Sequence, residues 1–66
     1  MKNNIAKNIK QLRTNKLMKQ SDLSQILKVT VKTISHWETG YSEPSINQLI
    51  ELSSIFGVTI DTLICK

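Results

Sequence analysis

Residues 20–40 read QSDLSQILKVTVKTISHWETG, and their pattern predicts two short helices set at an angle to each other. The first covers roughly residues 21–27, a tight turn occupies residues 28–30, and the second covers roughly residues 31–38. Thr30 suits the N-cap of the second helix, because its hydroxyl can accept hydrogen bonds from the free amides of the first turn. The second helix is the more informative of the two, since its faces differ in chemistry.

One face of this second helix is apolar and the other is not. Ile34 and Trp37 are spaced i, i+3 and therefore share the face that must be buried. The opposite face carries residues that need no core, namely Val31, Lys32, Ser35 and His36. Such a helix suits the major groove of DNA, which admits a helix and displays donors, acceptors and thymine methyl groups. Each of the four residues taken singly could be exposed and without a role, but as a face they predict contact with base edges.

The same segment resembles the helix-turn-helix of the phage-repressor and Cro type, also called the xenobiotic-response-element family. The usual pattern there is an apolar residue, any residue and Gln, followed by L-A-x-x-L-G-V-S-x-x-T-I-S-x-W-E-x-G. The matching residues in this chain are Met18, Gln20, Leu23, Ser24 for the small residue, Leu27, Val29, Thr30, Thr33, Ile34, Ser35, Trp37, Glu38 and Gly40. The residues that resemble the last two helices of the family are Pro44, Leu49, Leu52, Ser53, Phe56, Gly57, Val58, Asp61 and Leu63. Lys28 departs from the pattern, because it stands where the family usually has Gly, and a non-glycine residue at positive φ is mildly strained.

The resemblance implies an all-α fold: a compact five-helix lambda-repressor-like DNA-binding domain over residues 1–66, with the helix-turn-helix at helices 2 and 3. Residues that we expect to contact DNA phosphates are Gln20, Thr30, Thr33, Thr39 and Tyr41. A helix N-terminus offers unpaired N–H groups and partial positive charge to such an anion, which supports Gln20. Gln20 equally fits an ordinary polar residue at a helix start, and Tyr41 could instead pack under its loop.

Two further expectations follow from the resemblance. Arg13 should pair with Glu38 and so tie helix 1 to helix 3, although a solvated pair would contribute only about 0–1 kcal/mol. The family commonly dimerises through its C-terminal region, which in this chain contains Ile60, Ile64 and Cys65. These three side chains form the predicted dimer interface, and the alternative is that they merely cover the edge of the core.

The remaining helices are predicted from apolar spacing and capping residues. Helix 1 runs to about Asn15 after a cap at Asn3 or Asn4, and its apolar stripe is Ile5, Ile9 and Leu12. Met18 enters the core, and Ser21 offers a cap for helix 2. Helix 4 covers residues 46–56 with a cap at Ser45 and an end at Gly57, and a last helix covers residues 60–64 with a cap at Thr59 and Leu63 facing inward.

Charge is distributed unevenly along the 66 residues, which carry nine basic and five acidic side chains for a net charge of +4. Residues 1–37 contain eight of the basic residues and one acidic residue, whereas residues 38–66 contain one and four. The basic part includes the helix proposed to contact bases, and a one-sided field of this kind attracts a polyanion. A lysine-rich solvated surface is the plainer interpretation, but the coincidence of charge and motif favours nucleic acid.

Other functional classes find little support in the composition. One His and one Cys form no cluster, so we predict no metal site, no disulfide, no cofactor and no enzymatic activity. No apolar run approaches the roughly 18 residues of a membrane span, and no signal peptide is visible. We therefore expect a single-domain cytoplasmic protein without membrane contact.

The function predicted from the sequence is sequence-specific binding of double-stranded DNA by a small transcriptional regulator, with repression as the expected sign. A homodimer would place two copies of helix 3 on an inverted repeat. The alternative is a protein-interaction module, such as an antitoxin, whose apolar C-terminal surface binds another protein. Substitutions distinguish the two functions. DNA binding should depend on Lys32 and His36 of helix 3, whereas binding of a partner protein should depend on Ile60 and Ile64 of the last helix.

Overall fold

The computed structural model describes residues 4–65, and within that range the chain forms five α-helices and no strand. The helices are α1 (Ile5–Asn15), α2 (Gln20–Leu27), α3 (Val31–Thr39), α4 (Ile46–Phe56) and α5 (Ile60–Cys65). The all-α prediction with five helices is confirmed. The predicted helix ends agree with the observed ones to within one residue, because most of them are marked by local capping chemistry.

Three of the predicted N-caps are confirmed by their hydrogen bonds. The Thr30 hydroxyl accepts from the Thr33 amide at 3.1 Å, and the Thr59 hydroxyl accepts from an amide of α5 at 3.0 Å. Ser45 forms a reciprocal pair, since its hydroxyl accepts from the Gln48 amide at 3.2 Å and its own amide donates to Gln48 Oε1 at 2.7 Å. These bonds satisfy N–H groups that would otherwise be left without a partner at the helix starts.

Two predicted caps are not formed as expected. Asn4 occupies the N-cap of α1, but its side chain makes no capping hydrogen bond, and Asn3 lies outside the described residues. Ser21 is not the cap of α2, because that helix begins one residue earlier and places Ser21 inside its first turn. Lys19 is at the N-cap instead, and its amide donates to the Asp22 carboxylate at 2.8 Å.

The turn between α2 and α3 places a lysine in a left-handed backbone conformation. Lys28 has φ 58° and ψ 43°, as its position in the turn predicted. Its neighbour Val29 donates its amide to the Ser24 carbonyl at 3.0 Å, which closes the end of α2. The tightness of this turn fixes the angle at which α3 leaves α2.

The core combines apolar side chains from all five helices. Its buried members are Ile5, Ile9, Leu23, Leu27, Ile34, Trp37, Leu49, Leu52, Phe56 and Leu63. Leu12 and Met18 are partly buried and pack against this cluster. Helix α3 packs on α1 and α2, while α5 packs on α1 and α4. The inner face of α3 is therefore held by two other helices, and its outer face is left at the surface.

The C-terminal helix is held more closely than the sequence suggested. Asn8 of α1 is buried, and its Nδ2 donates to the Leu63 carbonyl at 2.8 Å. Ile60 and Ile64 are consequently half-buried rather than exposed, and Ile64 packs against the core. Cys65 is exposed, as expected. The role of these three residues in a dimer stays a prediction.

Candidate nucleic-acid interface

Helix α3 divides its side chains between the core and the solvent as predicted. Ile34 is fully buried, and Trp37 is 2% exposed. The four side chains predicted for base contact lie on the other side, where Val31 and Lys32 are exposed and Ser35 and His36 are half-buried. Their spacing of i, i+1, i+4 and i+5 makes them one continuous surface, because residues four apart are neighbours on a helix.

This outer surface of α3 offers polar groups that the protein itself does not use. Within residues 4–65, neither the Lys32 ammonium nor the His36 imidazole takes part in a hydrogen bond or an ion pair. The ammonium can donate to guanine O6 or N7 or to a phosphate, and the imidazole can donate or accept. Val31 adds a small apolar surface of the kind that packs on a thymine methyl group.

A buried ion pair anchors the C-terminal end of α3 to α1. Arg13 Nε donates to Glu38 Oε2 at 2.6 Å, and Arg13 Nη2 donates to Glu38 Oε1 at 3.0 Å. The two side chains are 10% and 3% exposed, so the predicted pair is confirmed and the solvated alternative is wrong. The hydrogen bond that Arg13 donates to Glu38 raises the pKa of the Arg13 guanidinium, although burial opposes the shift. Arg13 also donates to the Met18 carbonyl at 2.8 Å, which ties the start of α2 to the same group.

Gln20 has a protein partner that was not predicted. Its Nε2 donates to Glu38 Oε1 at 3.0 Å, so the first residue of α2 is linked to the end of α3. A carboxylate has about four acceptor sites, and a guanidinium that binds both of its oxygens fills only two, so a buried carboxylate needs a further donor; that need is the signal that could have identified the contact. The second N–H of the Gln20 amide group and the backbone N–H groups at the start of α2 are the donors with which it could meet a phosphate.

The other residues predicted to contact phosphates lie around the ends of α3. Thr30 is exposed at its start, and the hydroxyls of Thr30 and Thr33 are 3.0 Å apart. Thr39 is exposed at its end, where its hydroxyl donates to the His36 carbonyl at 3.3 Å. Tyr41 is 79% exposed and does not pack under its loop. Its ring lies against the His36 ring instead, with centroids 4.5 Å apart and planes inclined by 45°.

Basic side chains surround this part of the molecule. The described lysines are all exposed, and all of them belong to α1, α2, α3 or their connections: Lys7, Lys10, Lys16, Lys19, Lys28 and Lys32. The three acidic residues after position 38 belong to the loop before α4 or to α4 and α5. The field is therefore positive on the helices that carry the candidate interface, which is the sign that attracts nucleic acid.

The described residues offer little support for other kinds of site. Between positions 4 and 65, no group of three His, Cys, Asp or Glu side chains could hold a metal ion. None of the helices in that range is long and apolar enough to cross a membrane. Cys65 carries an exposed free thiol.

The chain is similar to known proteins over most of its length. A family model described as helix-turn-helix matches residues 9–63. The HTH-type transcriptional activator BcrR of Enterococcus faecalis is 41% identical over 56 residues, which cover 85% of this chain and 28% of the activator. The crystal structure of a transcriptional regulator from Listeria innocua matches with a TM-score of 0.92 at 26% identity, over 97% of this chain and 60% of that one. The chain thus spans less than two thirds of either relative.

Proposed function

This chain belongs to the helix-turn-helix family of phage-repressor and Cro type, and from that membership we propose that it binds a specific sequence of double-stranded DNA and regulates transcription. The family and its named relatives are regulators of transcription rather than enzymes. Residues 1–66 act in this proposal as one DNA-binding domain. The base-reading element is α3, inserted into the major groove.

The outer face of α3 is the observation that carries the proposal. Four side chains able to contact base edges are at the surface, while Ile34 and Trp37 hold the opposite face in the core. Lys32 donates to a guanine or to a phosphate, and Val31 packs on a thymine methyl group. His36 forms a hydrogen bond with a donor or an acceptor on a base edge.

Phosphate contacts set the position of α3 in the groove. The groups that make them surround α3 and the start of α2: Gln20, Thr30, Thr33, Thr39 and Tyr41. The exposed lysines make the affinity fall steeply as salt concentration rises, because each cationic side chain that neutralises a phosphate releases a condensed cation. Phosphate contacts orient the protein, whereas base contacts supply the sequence preference.

A homodimer would give the domain a palindromic target. Two copies related by a two-fold axis place their α3 helices in successive major grooves, so the half-sites are inverted and centred about 10 bp apart. Ile60, Ile64 and Cys65 of α5 form the contact between the copies in this proposal.

Repression is the sign of regulation that we propose. A domain bound over a promoter excludes polymerase without any further contact, whereas activation requires a surface that recruits polymerase. The relative named as an activator matches this chain over a segment that is 28% of its own length. A reporter placed behind the selected operator tests the sign: lower expression in the presence of the protein is expected, and higher expression would contradict repression.

Selection from a random duplex library at near-physiological salt tests the function. The wild type is compared with Lys32→Ala/His36→Ala and with Lys7→Ala, which removes one exposed lysine from α1 and is the matched control for charge. We expect an enriched inverted repeat with the wild type and with Lys7→Ala, and its loss with the double variant. Retention of bulk DNA with no enriched motif would contradict sequence-specific binding and would favour the protein-interaction alternative.

A further inference from the structure

Tyr41, which follows α3 in the chain, lies against a residue of the proposed reading face. We propose that Tyr41 is a positioning residue for specificity: its ring holds the His36 imidazole in the orientation that reads a base pair. The inference rests on the proposed function and deepens it, because it gives the loop after α3 a role in sequence preference. It differs from a phosphate contact, which would use the phenolic hydroxyl.

The backbone brings the two rings together. Gly40 ends α3 with φ 81° and ψ 6°, a left-handed conformation that turns the chain back along the helix. The Tyr41 amide then donates to the His36 carbonyl at 2.9 Å, and the Ser42 amide donates to the same carbonyl at 3.3 Å. Two hydrogen bonds to one acceptor fix the start of the loop relative to the last turn of α3. The Tyr41 Cα is thereby held next to His36.

The ring contact itself has the geometry of an aromatic pair. The centroids are 4.5 Å apart and the planes are inclined by 45°, within the range that aromatic side chains favour over a flat sandwich. Such a contact restricts the rotamers of both side chains. For His36 the restriction matters because the imidazole makes no hydrogen bond elsewhere in residues 4–65 that would orient it.

The exposure of Tyr41 argues against a role in the core. The residue is 79% exposed, so its ring adds little to the buried apolar surface, in contrast to the neighbouring Trp37 at 2%. An exposed aromatic ring that rests on a candidate base-contacting residue is better explained by positioning than by stability. Removing the ring should therefore change sequence preference without unfolding the domain.

Preorganisation predicts a modest and local effect. A single aromatic contact changes an equilibrium by a factor of about 2 to 10. Without the Tyr41 ring, the His36 imidazole must be ordered when DNA binds. The resulting loss of affinity then affects only the base pair that His36 contacts. Preferences at base pairs read by Val31 or Lys32 should stay unchanged.

The experiment uses the selected duplex and a panel in which each base pair is replaced in turn. The wild type, Tyr41→Phe, Tyr41→Ala, His36→Ala and Tyr41→Ala/His36→Ala are titrated against every member, and thermal unfolding confirms that each variant is folded. His36→Ala identifies the base pair at which discrimination is lost. We expect Tyr41→Ala to lose about 2- to 10-fold discrimination at that same base pair and the double variant to lose no more than His36→Ala. Tyr41→Phe keeps the ring and should keep the wild-type discrimination at that base pair, while loss of the proposed hydroxyl–phosphate contact lowers the affinity for every duplex alike.

Proton NMR of the free proteins gives a readout that needs no DNA. The His36 ring protons should show the ring-current shift of a neighbouring aromatic ring in the wild type and Tyr41→Phe, and should lose it in Tyr41→Ala. If Tyr41→Phe and Tyr41→Ala lowered the affinity for every duplex by the same factor, the inference would be overturned in favour of a hydroxyl–phosphate contact alone. Unchanged discrimination in Tyr41→Ala would also overturn it. A wild type that prefers no duplex would instead overturn the proposed function, while the NMR comparison still reports on the ring contact.

Discussion

Hydrogen bonds between polar side chains hold α3 against α1 and α2. Arg13, Glu38 and Gln20 form one hydrogen-bonded group that joins α1, the start of α2 and the end of α3. Because the ion pair is buried, removing either Arg13 or Glu38 leaves an uncompensated charge rather than simply one interaction fewer. We expect Arg13 and Glu38 to affect DNA binding only through the position of α3, whereas Gln20 is also a proposed phosphate contact.

We expect Arg13→Met to lower the free energy of unfolding by about 3 kcal/mol, because the Glu38 carboxylate then stays buried with only Gln20 as a side-chain donor. Arg13→Met/Glu38→Met should recover more than half of that loss, since no buried charge remains. Urea unfolding measures both, and Lys10→Met at an exposed position of α1 is the control, with an expected change within about 0.5 kcal/mol. A double variant less stable than Arg13→Met would show that the charge was not the cause.

Single residues also show where the sequence was insufficient. The Arg13–Glu38 pair was predictable from the family resemblance, but its Gln20 contact was not, because the geometry of three helices brings those groups together. The buried Asn8 was missed for a similar reason: it bonds to carbonyls 54 and 55 residues away along the chain. Its position beside Ile5 and Ile9 on the apolar side of α1 was the available signal. The roles of the base-facing residues remain predictions, since the contacting atoms belong to DNA.

The helices themselves are determined mainly by local chemistry at their ends. Thr30, Ser45 and Thr59 act as caps where the sequence predicted them, because a hydroxyl and the amide three residues later need no help from the rest of the fold. The start of α2 was harder to predict, since Ser21 and Asp22 compete as capping groups and the longer carboxylate reached the Lys19 amide. The connection after α1 gave no sign that Leu17 adopts positive φ.

Leu17 offers a direct test of strain at the end of an element. It has φ 58° and is 92% exposed, so replacing it by glycine relieves an unfavourable backbone conformation and sacrifices almost no packing. We expect Leu17→Gly to raise the free energy of unfolding by about 0.5–1 kcal/mol. Lys16→Gly is the matched control, because the neighbouring residue has φ −90°, and there glycine should cost about 0.5 kcal/mol. Thermal unfolding that ranks the two variants in the opposite order would rule out strain at Leu17.

The most exposed isoleucine of the molecule lies on a different helix from the predicted dimer contact. Ile60 and Ile64 of that contact are half-buried, whereas Ile46 of α4 is 72% exposed. The difference arises because α1 and α4 both pack on α5, a long-range arrangement that helical periodicity alone does not contain. Charge asymmetry, in contrast, was predictable, since it depends only on which half of the chain holds the lysines.

These two surfaces make the proposed dimer testable. Ile60→Glu should shift sedimentation equilibrium toward the monomer by at least about tenfold in dissociation constant, because a charge would be desolvated in the α5 contact. Ile46→Glu places the same charge on α4 and should leave the equilibrium unchanged. If Ile46→Glu dissociates the protein and Ile60→Glu does not, the dimer uses α4 instead of α5.

Duplexes with modified purines test whether α3 contacts base edges in the major groove. Each purine of the selected operator is replaced by its 7-deaza analogue, which lacks the major-groove N7, or by its 3-deaza analogue, which lacks the minor-groove N3. The wild type should lose about 5-fold or more in affinity when 7-deaza analogues occupy one or more positions, and little with any 3-deaza analogue. The affinity of Lys32→Ala/His36→Ala should not change with the 7-deaza analogues. Sensitivity to the 3-deaza analogues alone, or equal 7-deaza sensitivity in the double variant, would contradict major-groove readout by α3.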